Sequence, residues 1–213
     1  MDLYFSPMAC SLASRIALYE AKAEGDVRFI EVDPKTKRTL DGDDYRQVYE
    51  LGLVPLLRLD DGSLLSENAA ILQYLAARYP RAELAPRDPR GVALTQQWLC
   101  FIGTEMHKAL FIPLFDQKAP EGTRAHTLAK NESRLAFLER HLVDREFLLD
   151  GFTVADAYLV TVLNWTAPTR VDLKRWPAIE TYYRRMQMRA SVARAVQTEF
   201  ALYRAEVARH QLG

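Results

Sequence analysis

The apolar positions change period along the chain, and each change marks an element. Leu3-Tyr4-Phe5 is a short continuous apolar run that reads as a buried strand. Leu12, Ile16, Ala17 and Ala21 follow at the spacing of one helix face. Val27-Arg28-Phe29-Ile30-Glu31-Val32 is mostly apolar and partly alternating, a second strand. Strand, helix and strand at this spacing make a βαβ unit, so the two strands run parallel. A polar loop from Pro34 to Asp44 and a short helix from Tyr45 to about Glu50 come next. Leu56-Leu57-Arg58-Leu59 and Ser63-Leu64-Leu65 flank Asp60-Asp61-Gly62, a hairpin signal. Ser66 then stands as the N-cap of a helix whose stripe is Ala70, Ile71, Tyr74 and Leu75.

Three prolines, at 80, 86 and 89, make 80–89 a linker between residues 1–79 and 90–213. Beyond it every periodic segment is helical. Val92, Leu94, Trp98, Leu99, Ile102 and Met106 predict one long amphipathic helix ending near Pro113. Another helix spans about Thr123 to Leu142. Thr153-Val154-Ala155-Asp156 is a capping box that opens a buried helix at Ala157-Tyr158-Leu159-Val160. Arg175–Arg189 and Val192 to about Arg209 complete an all-α C-terminal domain. The order βαβ, a variable piece, then ββα is that of an α/β thioredoxin-like domain.

Composition narrows the class. The 213 residues carry 28 Lys plus Arg against 28 Asp plus Glu, so the formal net charge is zero. That balance offers no electrostatic footprint for nucleic acid or an anionic membrane. No apolar run approaches the length of a membrane span, and no secretory signal is visible. Two cysteines, Cys10 and Cys100, are too few and too far apart for a disulfide framework, which fits a reducing cytoplasm.

Cys10 is the candidate for chemistry. It sits at or just before the N-terminus of the first helix, where unpaired N–H groups and the helix dipole favour a thiolate. The alternative is a small buried hydrophobe. The following residues are Ser11-Leu12-Ala13, so there is no Cys-x-x-Cys and a dithiol oxidoreductase is disfavoured. Cys100 lies mid-helix, where buried packing is the default, and His126, His141 and His210 are surface or packing residues.

Taken together, these segments resemble a cytosolic glutathione transferase, most closely the bacterial beta class. The residues that carry the resemblance are Ala9-Cys10-Ser11-Leu12, Val54-Pro55 and Ser66-Glu67-Asn68-Ala69-Ala70-Ile71. In the second half they are Thr104-Glu105-Met106-His107-Lys108 and Phe152-Thr153-Val154-Ala155-Asp156-Ala157-Tyr158. The resemblance implies a glutathione transferase fold, glutathione as co-substrate without a metal, a small hydrophobic electrophile, a homodimer and a detoxifying role. It implies a cis Pro55 that exposes the backbone of Val54 to the glutathione cysteinyl unit; the alternative is an ordinary strand start. It gives Glu67 and Asn68 to the γ-glutamyl end, although Glu67 also suits the dipole of a first helical turn. His107 corresponds to a residue facing Cys10 across the cleft, against the alternative of a satisfied structural histidine. Lys37 and Lys108 match glutathione-binding lysines, and Ser11 joins Cys10 as a donor near the glutathione sulfur. Asp156 and Thr153 are structural.

Some positions depart from the family pattern. Tyr49-Glu50-Leu51-Gly52-Leu53 stands where the family reads Asn-Pro-Lys-Gly-Gln, Met8 replaces a common glycine, and Cys100 replaces a frequent asparagine. Two other readings remain open: a thiol transferase working through Cys10, and a non-catalytic relative that binds ligands or partners.

Overall fold

The computed structural model describes residues 1–212. They form two compact units: Met1–Leu84 together with the last helix, and Ala85–Arg189.

In the first unit, β1 (Asp2–Phe5), β2 (Arg28–Glu31), β3 (Leu56–Arg58) and β4 (Leu64–Leu65) form one sheet in the order β2-β1-β3-β4. The β1–β2 pair is parallel, as a helical crossover demands, and β3 pairs antiparallel with both β1 and β4. Helix α1 (Leu12–Glu20) makes the crossover and α2 (Asn68–Arg78) follows the hairpin. The pleat sorts β1 by alternation. Tyr4 and its register partner Leu56 pack with Val32 and Tyr45, while Phe5 meets Arg15 of α1. Tyr45 belongs to a single 3-10 turn, Tyr45–Gln47, shorter than the helix expected there. It is fully buried, and its hydroxyl donates to the Leu53 carbonyl at 2.8 Å.

Ser66 is not the N-cap of α2. Glu67 occupies that place with φ +66°, and no side chain caps the helix. The reason is local geometry: the chain turns into the helix one residue later than a cap at Ser66 requires, through a residue of positive φ.

The second unit consists of α3 (Pro89–Phe101), a π-helical segment Ile102–Phe111, α4 (Ile112–Phe115), α5 (Thr123–Leu142), α6 (Val154–Leu163), the short α7 (Thr166–Thr169) and α8 (Pro177–Gln187). Every residue of α6 is buried, so it is the axis on which α3, the π segment and α8 pack. The capping box at its start is complete, with Thr153 and Asp156 reciprocating. Asp156 also accepts from the Leu148 N–H and the Tyr182 hydroxyl, both at 2.9 Å. The expected α5 is present over its full length.

The long helix predicted through Met106 changes character at Ile102, where the bonding steps out to i→i+5. Pro113 cannot donate to the carbonyl of Ala109, and Asn131 of α5 donates to that oxygen at 3.1 Å instead. Val92, counted in the predicted core stripe, is exposed in the first turn of α3. Cys100 is exposed rather than packed, because it falls on the outer face between the buried Trp98–Leu99 and Ile102 positions.

The last helix, α9 (Ala190–Leu212), differs in place from the expected 90–213 domain: its contacts are with the first unit. It packs along α1, and Arg15–Glu199, Arg194–Glu24 and Arg209–Glu31 join it to the sheet domain. Residues distant in sequence carry these pairs, and periodicity alone does not reveal them.

Candidate active site

Cys10 stands immediately before Ser11, the N-cap of α1, so its sulfur is near the start of the helix. The loop that presents it is tied down on both sides. Ala9 N–H donates to the Ser6 carbonyl at 3.1 Å, and Ser6 Oγ donates to the Val32 carbonyl at 2.6 Å. Met8 takes φ +60°, a conformation that a side chain tolerates only when its surroundings hold it. The holding group is Glu199 of α9, whose Oε2 accepts the Met8 N–H at 2.8 Å. Glu199 Oε1 accepts from Arg15 Nε at 2.9 Å, and the Arg15 guanidinium lies over the rings of Phe29 and Phe5. Both partners are nearly inaccessible to water. Burial pushes the Glu199 carboxyl up to about 7, against the pull of Arg15 and the Met8 N–H. Sequence reading missed this pair, since neither residue belongs to a motif.

The Cys10 thiol donates to the carbonyl oxygen of Val54 at 3.4 Å. Val54-Pro55 is a cis peptide, as expected, and Pro55 is buried while Val54 is half-exposed. Cys10, Val54 and Pro55 therefore form one cluster. Ser11, the other expected donor, is fully buried, and its hydroxyl donates to the Ser6 carbonyl at 3.2 Å. Its hydroxyl shapes the loop.

At the other end of the hairpin, Glu67 is exposed at the uncapped start of α2. The first-turn N–H groups of such a helix suit an anion. Asn68 is buried; its Oδ1 accepts from Ser14 Oγ at 3.4 Å, and its Nδ2 has no partner. Lys37 lies with its stem against Gly52, as does the stem of Arg46. Gly52 has φ +58°, and a Cβ there would stand 3.4 Å from Lys37 Cδ and 3.6 Å from Arg46 Cγ. Burial and the Arg46 charge hold the Lys37 ammonium below its ordinary value. Arg46 is a second cation that sequence reading did not single out; only the turn at Tyr45 brings it to Gly52. Glu50, Leu51 and Leu53 are exposed.

In the helical unit, His107 is buried within the π segment. Its Nδ1 is 2.8 Å from the Tyr158 hydroxyl of α6, and its ring meets Trp165 edge-on. Burial, with help from the Lys108 charge, pushes the imidazole down to about 4, so it is neutral at pH 7. The contact with Tyr158 orients the imidazole ring through Nδ1. Phe111 and Phe115 pack on the same Trp165 ring. Lys108 is exposed. Tyr158 and Trp165 went unassigned in the sequence because their partnership with His107 crosses from one helix to another. Among the described residues, no three His, Cys, Asp or Glu side chains are grouped as metal ligands, and no helix is long and apolar enough to cross a membrane.

Comparison with known proteins agrees with this geometry. Residues 7–78 match the family model for the glutathione S-transferase N-terminal domain, and 128–185 that for the C-terminal domain. The chain is 41% identical to glutathione S-transferase GstA of Escherichia coli O157:H7, over 93% of this chain and 98% of the relative. A beta class enzyme of Sphingomonas chungbukensis superposes with a TM-score of 0.86 at 39% identity, covering 93% and 98% of the two chains. A sphingomonad glutathione S-transferase complexed with glutathione gives a TM-score of 0.87 at 36% identity, again over 93% and 98%. The chain belongs to the glutathione S-transferase family. Within that family it stands with the bacterial beta class.

Proposed function

We propose that the protein activates the thiol of its co-substrate glutathione and transfers it to a small hydrophobic electrophile, as a cytoplasmic homodimer with a detoxifying role. The observation that carries this reading is the Cys10 thiol bonded to the Val54 carbonyl beside the start of α1. An extended peptide aligned on the Val54 backbone brings its own cysteine to that sulfur. The N-terminus of α2 receives the γ-glutamyl carboxylate and Glu67 its ammonium, with Asn68 beneath. Lys37, with Arg46 beside it, receives the glycyl carboxylate.

The mechanism follows from charge. Two adjacent thiolates repel, so one thiol keeps its proton. Cys10 keeps it and donates to the glutathione thiolate. Lowering the glutathione pKa by one unit needs about 1.4 kcal/mol of differential stabilisation, within reach of a donor and a helix N-terminus. The thiolate then bonds to the electrophilic carbon, the leaving group departs with its electron pair, and the thiol proton goes to solvent. His107, being neutral, acts as a hydrogen-bonding group rather than as a cation. Within the helical unit, the Trp165, Phe111 and Phe115 rings form an apolar cluster next to the His107 ring.

In a thiol transferase the Cys10 thiolate would instead attack the glutathione sulfur of a glutathionylated substrate, release the substrate thiol and hold a Cys10–glutathione mixed disulfide. A second glutathione thiolate resolves that disulfide as oxidised glutathione. The half-exposed Cys10 supports that second reading. Retention on immobilised glutathione followed by turnover of a generic aryl halide is the test. Retention with turnover supports conjugation. Retention with reduction of a glutathionylated substrate alone supports thiol transfer, and failure of both leaves a non-catalytic relative.

A further inference from the structure

The turn that carries Lys37 is held from two sides. Inside it, Asp33 Oδ1 accepts the N–H groups of Lys35 at 2.8 Å and Thr36 at 2.9 Å. The Lys37 N–H donates to the Asp33 carbonyl at 3.0 Å, and the Asp33 N–H donates to the Arg38 carbonyl at 2.9 Å. Lys37 itself sits at φ +59°, so this turn stays formed only where other contacts hold it. The contact from outside comes from the last turn of α9. His210 Nε2 lies 2.6 Å from Asp33 Oδ2, with both side chains largely shielded from water. Arg209 pairs with Glu31 two residues earlier, and Glu206, one turn back on α9, is buried. Burial raises the Asp33 carboxyl, but hydrogen bonds from Thr36, His210 and Lys35 outweigh it and hold the group at about 2. The acceptor is therefore an anion, and the bond is charge-assisted.

We propose that the last turn of α9 is a latch on the glutathione-binding loop, in which His210 is the positioning residue: by holding Asp33 Oδ2 it keeps the 33–38 turn formed and Lys37 seated against Gly52. The inference rests on the assignment of Lys37 to the glycyl carboxylate. A pre-formed turn loses little freedom when the tripeptide arrives, whereas a loosened one must be ordered at that moment. Cys10 and Val54 lie outside the turn, so the latch acts on glutathione affinity and not on the chemical step.

The test is steady-state kinetics of the full chain with glutathione varied against a fixed aryl halide. The variants are His210→Ala, His210→Gln, Lys37→Ala and the His210→Ala/Lys37→Ala double. His210→Ala should raise the KM for glutathione roughly three- to tenfold and leave kcat within about a factor of two. His210→Gln, which keeps a side-chain N–H, should restore most of the affinity. In the double variant KM should be no higher than in Lys37→Ala, because the latch works through Lys37. The inference is overturned if Lys37→Ala raises KM and His210→Ala does not. It is also overturned if the two increases multiply, or if His210→Gln is as impaired as His210→Ala. If Lys37→Ala leaves KM unchanged, the assignment of Lys37 falls and the latch falls with it.

Discussion

At the scale of single residues, the chemistry divides between a thiol that is needed as a nucleophile and one needed only as a donor. Cys10→Ser keeps a hydrogen-bond donor and loses the sulfur, so it should largely spare conjugation and abolish thiol transfer. Cys10→Ala should abolish thiol transfer and also reduce conjugation, and parallel assays of the two variants check both. The exposed loop before Val54 offers a second test. Leu51→Lys adds a cation next to the Lys37 and Arg46 stems on Gly52. Calorimetry should show tighter glutathione binding, with a gain that shrinks as salt rises; an unchanged affinity at low salt excludes contact between this loop and the tripeptide. His107 leads to a pH prediction. Its folded value of about 4 lies below its unfolded value of 6.5, so the unfolded chain binds the extra proton between those limits. Its contribution to stability is therefore complete above pH 6.5 and lost as pH falls towards 4. The size is on the order of 3 kcal/mol by linkage. Glu199, raised to about 7, works with the opposite sign between its unfolded 4.5 and that value. The measurement is accordingly the difference between wild type and His107→Gln in urea melts from pH 4 to 7, which should narrow as the pH falls.

At the scale of elements, α9 is the piece that holds the thiol loop. Glu199→Ala leaves a buried Arg15 cation without its partner and the Met8 N–H without its acceptor. That should cost about 3–5 kcal/mol, whereas replacing both Arg15 and Glu199 with apolar residues of similar volume should cost far less. Chemical denaturation of the two variants decides between an ion pair that contributes net stability and one that is merely costly to break. The π segment has a comparable local logic. Asn131 takes up the carbonyl that Pro113 cannot serve, and the wider turn places His107 among Tyr158 and Trp165.

At the scale of the whole molecule, the proposed homodimer is tested by light scattering at micromolar concentration, where a dimeric mass of roughly twice 24.4 kDa is expected. The exposed Phe137, packed on Trp98 and Phe101, and the exposed Leu64 of β4 are apolar surface that supports this expectation. A monomeric mass overturns it.

What was legible in the chain was whatever depends on neighbours in sequence. The βαβ unit, the Asp-Gly hairpin, the Thr153–Asp156 capping box and the position of Cys10 before a helix all rest on periods and local turns, and all are present. Local pattern reached too far at Ser66, since Glu67 at φ +66° takes the N-cap position and no side chain caps the helix, and at Val92 and Cys100, where helix periodicity does not say which face is covered. The long-range partners within each unit came only with tertiary structure. Tyr158 meets His107 across 51 residues, Glu199 reaches Met8 across 191, and His210 reaches Asp33 across 177. A buried hydrogen bond is specified by where two backbones come together in space, and the order of residues along either backbone alone carries no record of that meeting.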